Sequence, residues 1–457
     1  MTPRREHPAL HRILGPITVV CVGVGGAIGS GVFRTPGDIA KSIQSPWLIL
    51  SLWVLAGGIT FMQSLVSAEL ATRFPRAGGE YEYLKRAYGD FAAFFFGWSC
   101  TIFIIGAGAA TIAAALGDFA AELSQLDRSW ASPAFGCAAI IAVTAVNALG
   151  LRTGAFTQNL LTMLKVAALL GIAVGAWILS GRLTPAPSPA TLGPNETSWS
   201  LAFLMALLPA FWPYTGATDS VRLAEEVKDV HKAMPRALFG TVAVLTAVYF
   251  FYNYALLCAV SPEKMADDPG VHASVFAGIH GFYLREAILI VSILICLGSI
   301  TAVFLANVRV TYALARDGLT FRFFSRMSRS QAPVASFIVV GLIACAFVLS
   351  RSFGKMLKIY FLASAFLFGM TYLSLVIFRL RDRRAGRTFP KDAYRAPAGV
   401  LLAILLILIE LAIATSIIVS DMKDGSHDSL ITLAVLAGMG GLYVVWRWVY
   451  PRSANGG

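Results

Sequence analysis

Charge is what this sequence lacks most. Only 14% of its 457 residues are Asp, Glu, Lys or Arg, against about a quarter in soluble chains. That scarcity excludes a water-facing globular protein of this size. Long polar stretches are missing too: the two longest, 181–200 and 379–397, are too short to be domains. The six cysteines, Cys21, Cys100, Cys137, Cys258, Cys296 and Cys345, all fall in apolar stretches without paired spacing. They read as buried free thiols, not a disulfide framework. His7, His11, His231, His272, His280 and His427 lie in loops or at the edges of apolar stretches. A haem-ligating or quinone-reducing membrane subunit would place histidine inside its helices. The chain has no metal-spaced His/Cys/Asp/Glu set and no Ser/His/Asp cluster in its apolar stretches. An enzyme, a cofactor and a metal site are therefore not expected. No cleavable signal peptide is visible, because the apolar stretch behind MTPRREHPALHR carries a feature the fold needs.

What the chain has is apolar length. It is 57% hydrophobic, with a mean hydropathy of +0.70. Twelve apolar spans are predicted, each near the length of roughly 20 residues that crosses a bilayer core. They run over 14–35, 46–72, 91–123, 132–150, 155–180, 199–221, 235–260, 285–315, 332–350, 355–379, 397–420 and 428–449. The net charge of +12 does not point to nucleic acid, because of where it sits. With the N-terminus inside, roughly 25 of the 37 Lys and Arg fall on the inner side and roughly 10 outside. That bias places both termini in the cytoplasm. The densest cluster, from Arg379, reads as a topology signal and a contact for anionic lipid.

Two spans are interrupted by helix-breaking residues, and each opens one half of the chain. The first, VVCVGVGGAIGSGVF from Val19, breaks at Gly29-Ser30-Gly31. The second, LAFLMALLPAFWPYTGATDSV from Leu201, breaks between Pro209 and Gly216. A break frees backbone N–H and C=O groups, which is tolerated only against protein or a watery cavity. Matched breaks in two halves point to a transporter's substrate site. Freed N–H groups suit a carboxylate and freed carbonyls suit an ammonium. For the first break a competing reading stays open, since Gly23, Gly25, Gly26 and Gly29 also form a close-packing face. In the second, Pro209 and Pro213 remove donors and leave upstream carbonyls free, with Trp212 and Tyr214 alongside as candidate lids.

The single transporter domain, 1–457, divides into five-span units at 14–182 and 199–381, with two additional spans over 397–449. An odd number of spans per unit forces the second to be inverted. Lys165 lies nine residues into the fifth span from Thr157. An ionisable residue at that depth is a functional candidate, with snorkelling to the interface as the alternative.

Four motifs carry a resemblance over the whole length: GAIGSGVFRTP from Gly26, ELATRFPRAGGEYEYLKRAYGD from Glu69, FWPYTGATDSVRLAEEVKD from Phe211 and RVTYALARDG from Arg309. With them the chain resembles the amino acid–polyamine–organocation superfamily, and within it the L-type amino acid transporters and their bacterial relatives. The resemblance implies an all-α membrane protein with the LeuT-type 5+5 inverted repeat, twelve helices, and helices 1 and 6 broken. It implies that the N–H groups around Gly29, Ser30 and Gly31 bind the substrate carboxylate, and that the carbonyls of Ala27, Trp212 and Thr215 bind its amino group. Trp212 falls on the aromatic gate. Ala217 falls on a side-chain pocket position where many relatives carry a large aromatic. Lys165 matches a lysine that replaces a structural sodium ion, reaching Gly25 or Gly26 and Ser299.

The implied function is sodium-independent transport of L-amino acids across the plasma membrane by alternating access, as an exchanger. Neutral substrates rank first because no carboxylate stands in the middle of spans 1, 3, 6, 8 or 10. A proton-coupled symporter and a carrier of cationic amino acids or polyamines are the alternatives. Glu69, Glu80, Glu82, Glu225, Glu226, Arg309, Arg316 and Asp317 are expected to form an inner ion-pair network or to anchor at the lipid interface. Asp118 and Glu122 are expected to be solvated. The loop SQLDRSWAS from Ser124 has no cysteine, where the eukaryotic light chains carry one that links a heavy chain. No disulfide-linked heavy chain is therefore expected. Asn195-Glu196-Thr197 is a glycosylation sequon placed in an outside loop, with no role expected of it in a bacterial protein.

Overall fold

The computed structural model describes residues 12–149, 151–185, 191–193, 198–267, 275, 282–328, 332–350, 353–423 and 425–450. The sequon and His7, His11, His272 and His280 lie outside these residues. Nine helices among them are long and apolar enough to cross a membrane, and a tenth span is a helix pair bent by 44°. The bent pair is α1 (Pro16–Ala27) and α2 (Gly31–Ser42). There follow α3 (Pro46–Arg73), α4 (Glu80–Tyr88) and α5 (Asp90–Ser99). A π-helical stretch, Cys100–Ala107, joins α5 to α6 (Gly108–Leu123). Then come α7 (Arg128–Ala148), α8 (Leu151–Ser180), α9 (Trp199–Phe211), α10 (Val230–Ala259) and the short α11 (Pro262–Asp267). The chain continues through α12 (Phe282–Arg316), α13 (Val334–Ser350), α14 (Phe353–Arg384), α15 (Gly399–Lys423) and α16 (Asp428–Val449). No β-strand occurs among the described residues, only two isolated bridges, Leu14 to Val227 and Ile43 to Leu192.

These bridges define two ends of the broken pair. At the near end, where the chain enters α1, Leu14 N–H donates to Glu226 O over 3.0 Å. At the far end, beyond α2, Gly193 N–H donates to Ser42 O over 2.9 Å. Local sequence explains the boundaries. Pro46 starts α3 at the position where a missing N–H is harmless. Gly78 and Gly79 have φ of 97° and 50°, which ordinary residues avoid, and so turn the chain sharply into α4.

The outer surface is apolar. Leu401, Leu408 and Leu411 on α15 are 66%, 57% and 55% exposed. Such a stripe would associate in water and is at home in lipid. Charged side chains turn inward or to the helix ends.

Two sequence expectations change here. The second break begins later than predicted, because α9 runs through Pro209 to Phe211. The missing N–H of that proline is tolerated inside the helix, and the unwinding starts at Trp212. The predicted span 332–350 is represented by a helix of 17 residues, Val334–Ser350.

Candidate functional site

Both breaks face one cavity. Ala27, Gly29, Ser30 and Gly31 line it from the first, and Trp212 and Thr215 from the second. Ile104 and Gly108, from the π-helical stretch and the start of α6, form another wall. A π-helical turn is frequent at functional sites because it re-aims side chains. Val303 and Asn307 of α12 and Tyr360 of α14 complete the enclosure. Ala217 does not line it. Its side chain is fully buried and its carbonyl faces Gly23, where an added Cβ would come within 2.9 Å.

At the first break, α1 stops at Ala27 and α2 starts at Gly31. The opening turn of α2 has N–H groups without intrahelical acceptors. Ser30 is fully buried, and its Oγ has no partner. The glycines divide between helix packing and the cavity wall. Gly25 packs on α8, where a Cβ would fall 1.9 Å from Gln158 Nε2, while Gly29 and Gly31 open to the cavity.

At the second break, Trp212–Tyr214 form one 3-10 turn and Asp219–Glu226 a longer one. Gly216, between them, has φ of 89° and lies against Gly26. The Trp212 ring lies over the first break, since a Cβ on Gly31 would meet Trp212 Cδ1 at 2.6 Å. It packs edge-on against Tyr360, with centroids 5.1 Å apart. Tyr214 is not a lid of this cavity: its hydroxyl donates to Trp53 O over 2.9 Å.

The expected ammonium acceptors fare differently. Trp212 O already accepts from Thr215 N–H at 3.0 Å and Thr215 Oγ1 at 2.7 Å, which uses both of its lone pairs. The carbonyls of Ala27 and Thr215 have no donor among the described residues.

Behind the first break sits Lys165, 2% exposed. Its Nζ donates to Gly25 O at 2.7 Å, Ile28 O at 3.0 Å and Ser299 Oγ at 2.7 Å. All three ammonium protons are used, and snorkelling is excluded by the direction of the side chain. Two partners are carbonyls that the end of α1 leaves free. Gly298 makes room: a Cβ there would meet Lys165 Cε at 2.6 Å.

The near end of the cavity is closed by charge. Asp219, which lines the cavity, accepts from Arg222 Nη1 at 2.8 Å and Asn307 Nδ2 at 2.7 Å. Arg222 is fully buried and also grips Glu80, with Nε at 2.9 Å and Nη2 at 3.2 Å. Burial pushes the Glu80 carboxyl above the usual carboxylate range, and the Arg222 guanidinium opposes that shift. Outward of this triad lie the pairs Arg309–Glu226 at 3.1 Å, Arg316–Glu225 at 3.1 Å, Lys85–Asp317 at 2.6 Å and Arg379–Glu69 at 2.5 Å. Glu82 pairs with Arg86 at 2.6 Å. The PRAGGEY loop serves this cluster, since Gly78 N–H donates to Arg222 O over 3.1 Å.

Two expectations are corrected here. A carboxylate does stand at the cavity, Asp219; it belongs to the 3-10 turn beyond the break rather than to mid-span. Asp118 and Glu122 are paired rather than merely solvated. Asp118 takes Arg34 at 3.0 Å and Ser132 Oγ at 2.8 Å, and Glu122 takes Arg128 at 2.7 Å and also Arg285.

Sequence reasoning also missed Arg34, Asn307, Tyr360 and Glu410. Glu410 and Arg34 left a signal, each as the single charge inside its predicted span, 397–420 and 14–35. The six cysteines are free, four buried and two half-buried.

Residues 14–441 match the family described as Amino acid permease. The serine/threonine exchanger SteT of Bacillus subtilis is 29% identical over 449 residues, covering 94% of this chain and 97% of its own. The b(0,+)-type amino acid transporter 1 of Mus musculus is 25% identical over 410 residues, covering 88% of this chain and 82% of its own.

Proposed function

Because the chain belongs to the amino acid permease family, a family of transporters and not of enzymes, we propose that it is a sodium-independent exchanger of neutral L-amino acids. It works by alternating access in the plasma membrane. The substrate carboxylate binds the N–H groups around Gly29, Ser30 and Gly31. The ammonium binds the carbonyls of Ala27 and Thr215, and Trp212 closes over it. Thr215 and the carbonyl of Trp212 reorganise together, because each holds the other. The twelve-span reading counts α9 with the second break as one span and α13 as another. The units 14–182 and 199–381 then form the inverted repeat, and α15 and α16 are the two additional spans. The Lys and Arg bias places both termini in the cytoplasm, and the cysteine-free loop after span 3 favours a stand-alone carrier.

The observation that carries sodium independence is the Lys165 ammonium on Gly25 O, Ile28 O and Ser299 Oγ. A fixed positive charge there does what a bound cation would do, holding the end of α1 against α8 and α12. Neutral substrates are favoured because Asp219, the carboxylate at the cavity, already accepts from Arg222 and Asn307. The test is uptake of radiolabelled L-serine into proteoliposomes. Uptake that needs internal L-serine or L-alanine, and for which an imposed pH gradient is no substitute, is expected. Uptake into empty vesicles driven by an inward proton gradient would overturn the exchange reading. Strong exchange of L-arginine would overturn the neutral preference.

A further inference from the structure

We propose that Glu410 is a proton-binding site, in a second cavity that shares a wall with the first. The inference does not depend on which amino acid the first cavity takes. Glu410 sits in the middle of α15, a helix that otherwise offers leucines to the lipid. It is only 3% exposed and points inward. It lines a cavity with Gln63 and Ser67 of α3, Thr371 and Tyr372 of α14, and Thr215 and Asp219 of the second break. That cavity has room for a water and little more. Among the described residues Glu410 has no ion pair and no hydrogen bond.

The charges around it do not balance. The titratable groups facing the cavity are Tyr214, Tyr360, Tyr372, Glu80, Asp219 and Glu410. Three of them are carboxylates. No Lys or Arg lines the cavity among the described residues, and the nearby Arg222 is committed to Glu80 and Asp219. Glu69 and Arg379, farther along α3 and α14, pair with each other. An ionised carboxylate held without a partner inside a membrane protein is too costly to persist. The positive charge has to come from outside the chain, and a proton from the aqueous phase supplies it through a single O–H bond, where a metal cation would need several further oxygen ligands. The carboxylate becomes a carboxylic acid.

The shared wall makes the site responsive. Thr215, Gly216, Asp219 and Tyr360 line both cavities. A substrate that moves the second break therefore changes the surroundings of Glu410, and proton and substrate affinities must shift each other by the same factor.

The test is pH-titrated infrared difference spectroscopy on the full-length protein in liposomes, reading the carbonyl band of a protonated carboxylic acid. The wild type should show a titrating band that Glu410→Gln lacks and Glu80→Gln keeps. Glu410→Asp should keep a band with a displaced midpoint, which guards against misfolding of the Gln variant. Saturating L-serine should move the wild-type midpoint by roughly fivefold in proton concentration, the low end for coupled sites. A band that survives in Glu410→Gln, or one lost in Glu80→Gln instead, would overturn the assignment. A band abolished by sodium at fixed pH would make the occupant a metal cation and overturn it as well. A midpoint indifferent to serine, in protein that exchanges serine, would remove the coupling. Protein that exchanges no serine but keeps the Glu410 band would count against the exchanger reading alone.

Discussion

The two ends of the broken-helix pair are held shut by unequal means. At the far end, among the described residues, Arg34 pairs with Asp118, each side chain 29% exposed, and Glu122 pairs with Arg128 and Arg285, all of them partly exposed. At the near end Arg222 clamps two carboxylates with no exposure of its own. Behind it stand the pairs of Arg309, Arg316, Lys85 and Arg379. A half-exposed ion pair contributes about 0–1 kcal/mol. Removing one partner of a buried pair costs about 3–5 kcal/mol, because the other charge is stranded. The far end is therefore a light latch and the near end a heavy one. In the proposed cycle the near end opens only when the whole network exchanges partners.

This asymmetry can be broken from either side. The largest effect is expected from Arg222→Met, which strands Glu80 and Asp219: about 3–5 kcal/mol of stability, read as a fall in melting temperature in detergent, with exchange abolished. Glu80→Gln with Asp219→Asn in the same background should restore much of the stability. Next is Trp212→Ala, which leaves the fold intact and cuts exchange by about a hundredfold, the cost of losing a closing lid; unchanged uptake would remove the gate assignment. Gly31→Ala should act through the same ring, since the added methyl occupies its place, and should weaken serine binding in a thermal-shift titration by about tenfold. Arg34→Gln should be the mildest, changing serine exchange in proteoliposomes by less than about fivefold. A collapse of activity in Arg34→Gln, with Arg222→Met tolerated, would invert the comparison.

Much of the scaffold was legible before any coordinates. Apolar runs mark the helices within a few residues because lipid contact demands them. The first break was visible because three small residues, Gly29-Ser30-Gly31, let a helix unwind, though the sequence left a close-packing face open as the other reading. Lys165 was visible by its depth, and Ser299 by resemblance. What stayed hidden depends on tertiary direction. The helix through Pro209 is supported by its neighbours, so the proline alone misplaced the second break. Asp219 read as the end of the predicted span 199–221 and Arg222 as a residue just past it, and only the folded 3-10 turn brings one to the cavity and the other to Glu80. The engagement of Trp212 O by Thr215 is a backbone detail that no residue pattern encodes. The π-helical stretch Cys100–Ala107 has no signature in its composition.

The proposed function stands on Lys165 taking the place that a bound cation would otherwise hold at the first break. The direct measurement is L-serine exchange in proteoliposomes with sodium replaced throughout by choline, in the wild type and in Lys165→Ala. The account predicts equal wild-type exchange in both salts. Lys165→Ala should lose exchange, because its Gly25 carbonyl is left without a donor at about 1–3 kcal/mol and Ile28 O keeps only the Ser299 hydroxyl. Wild-type exchange that collapses in choline would contradict the account, and so would a Lys165→Ala variant that exchanges normally.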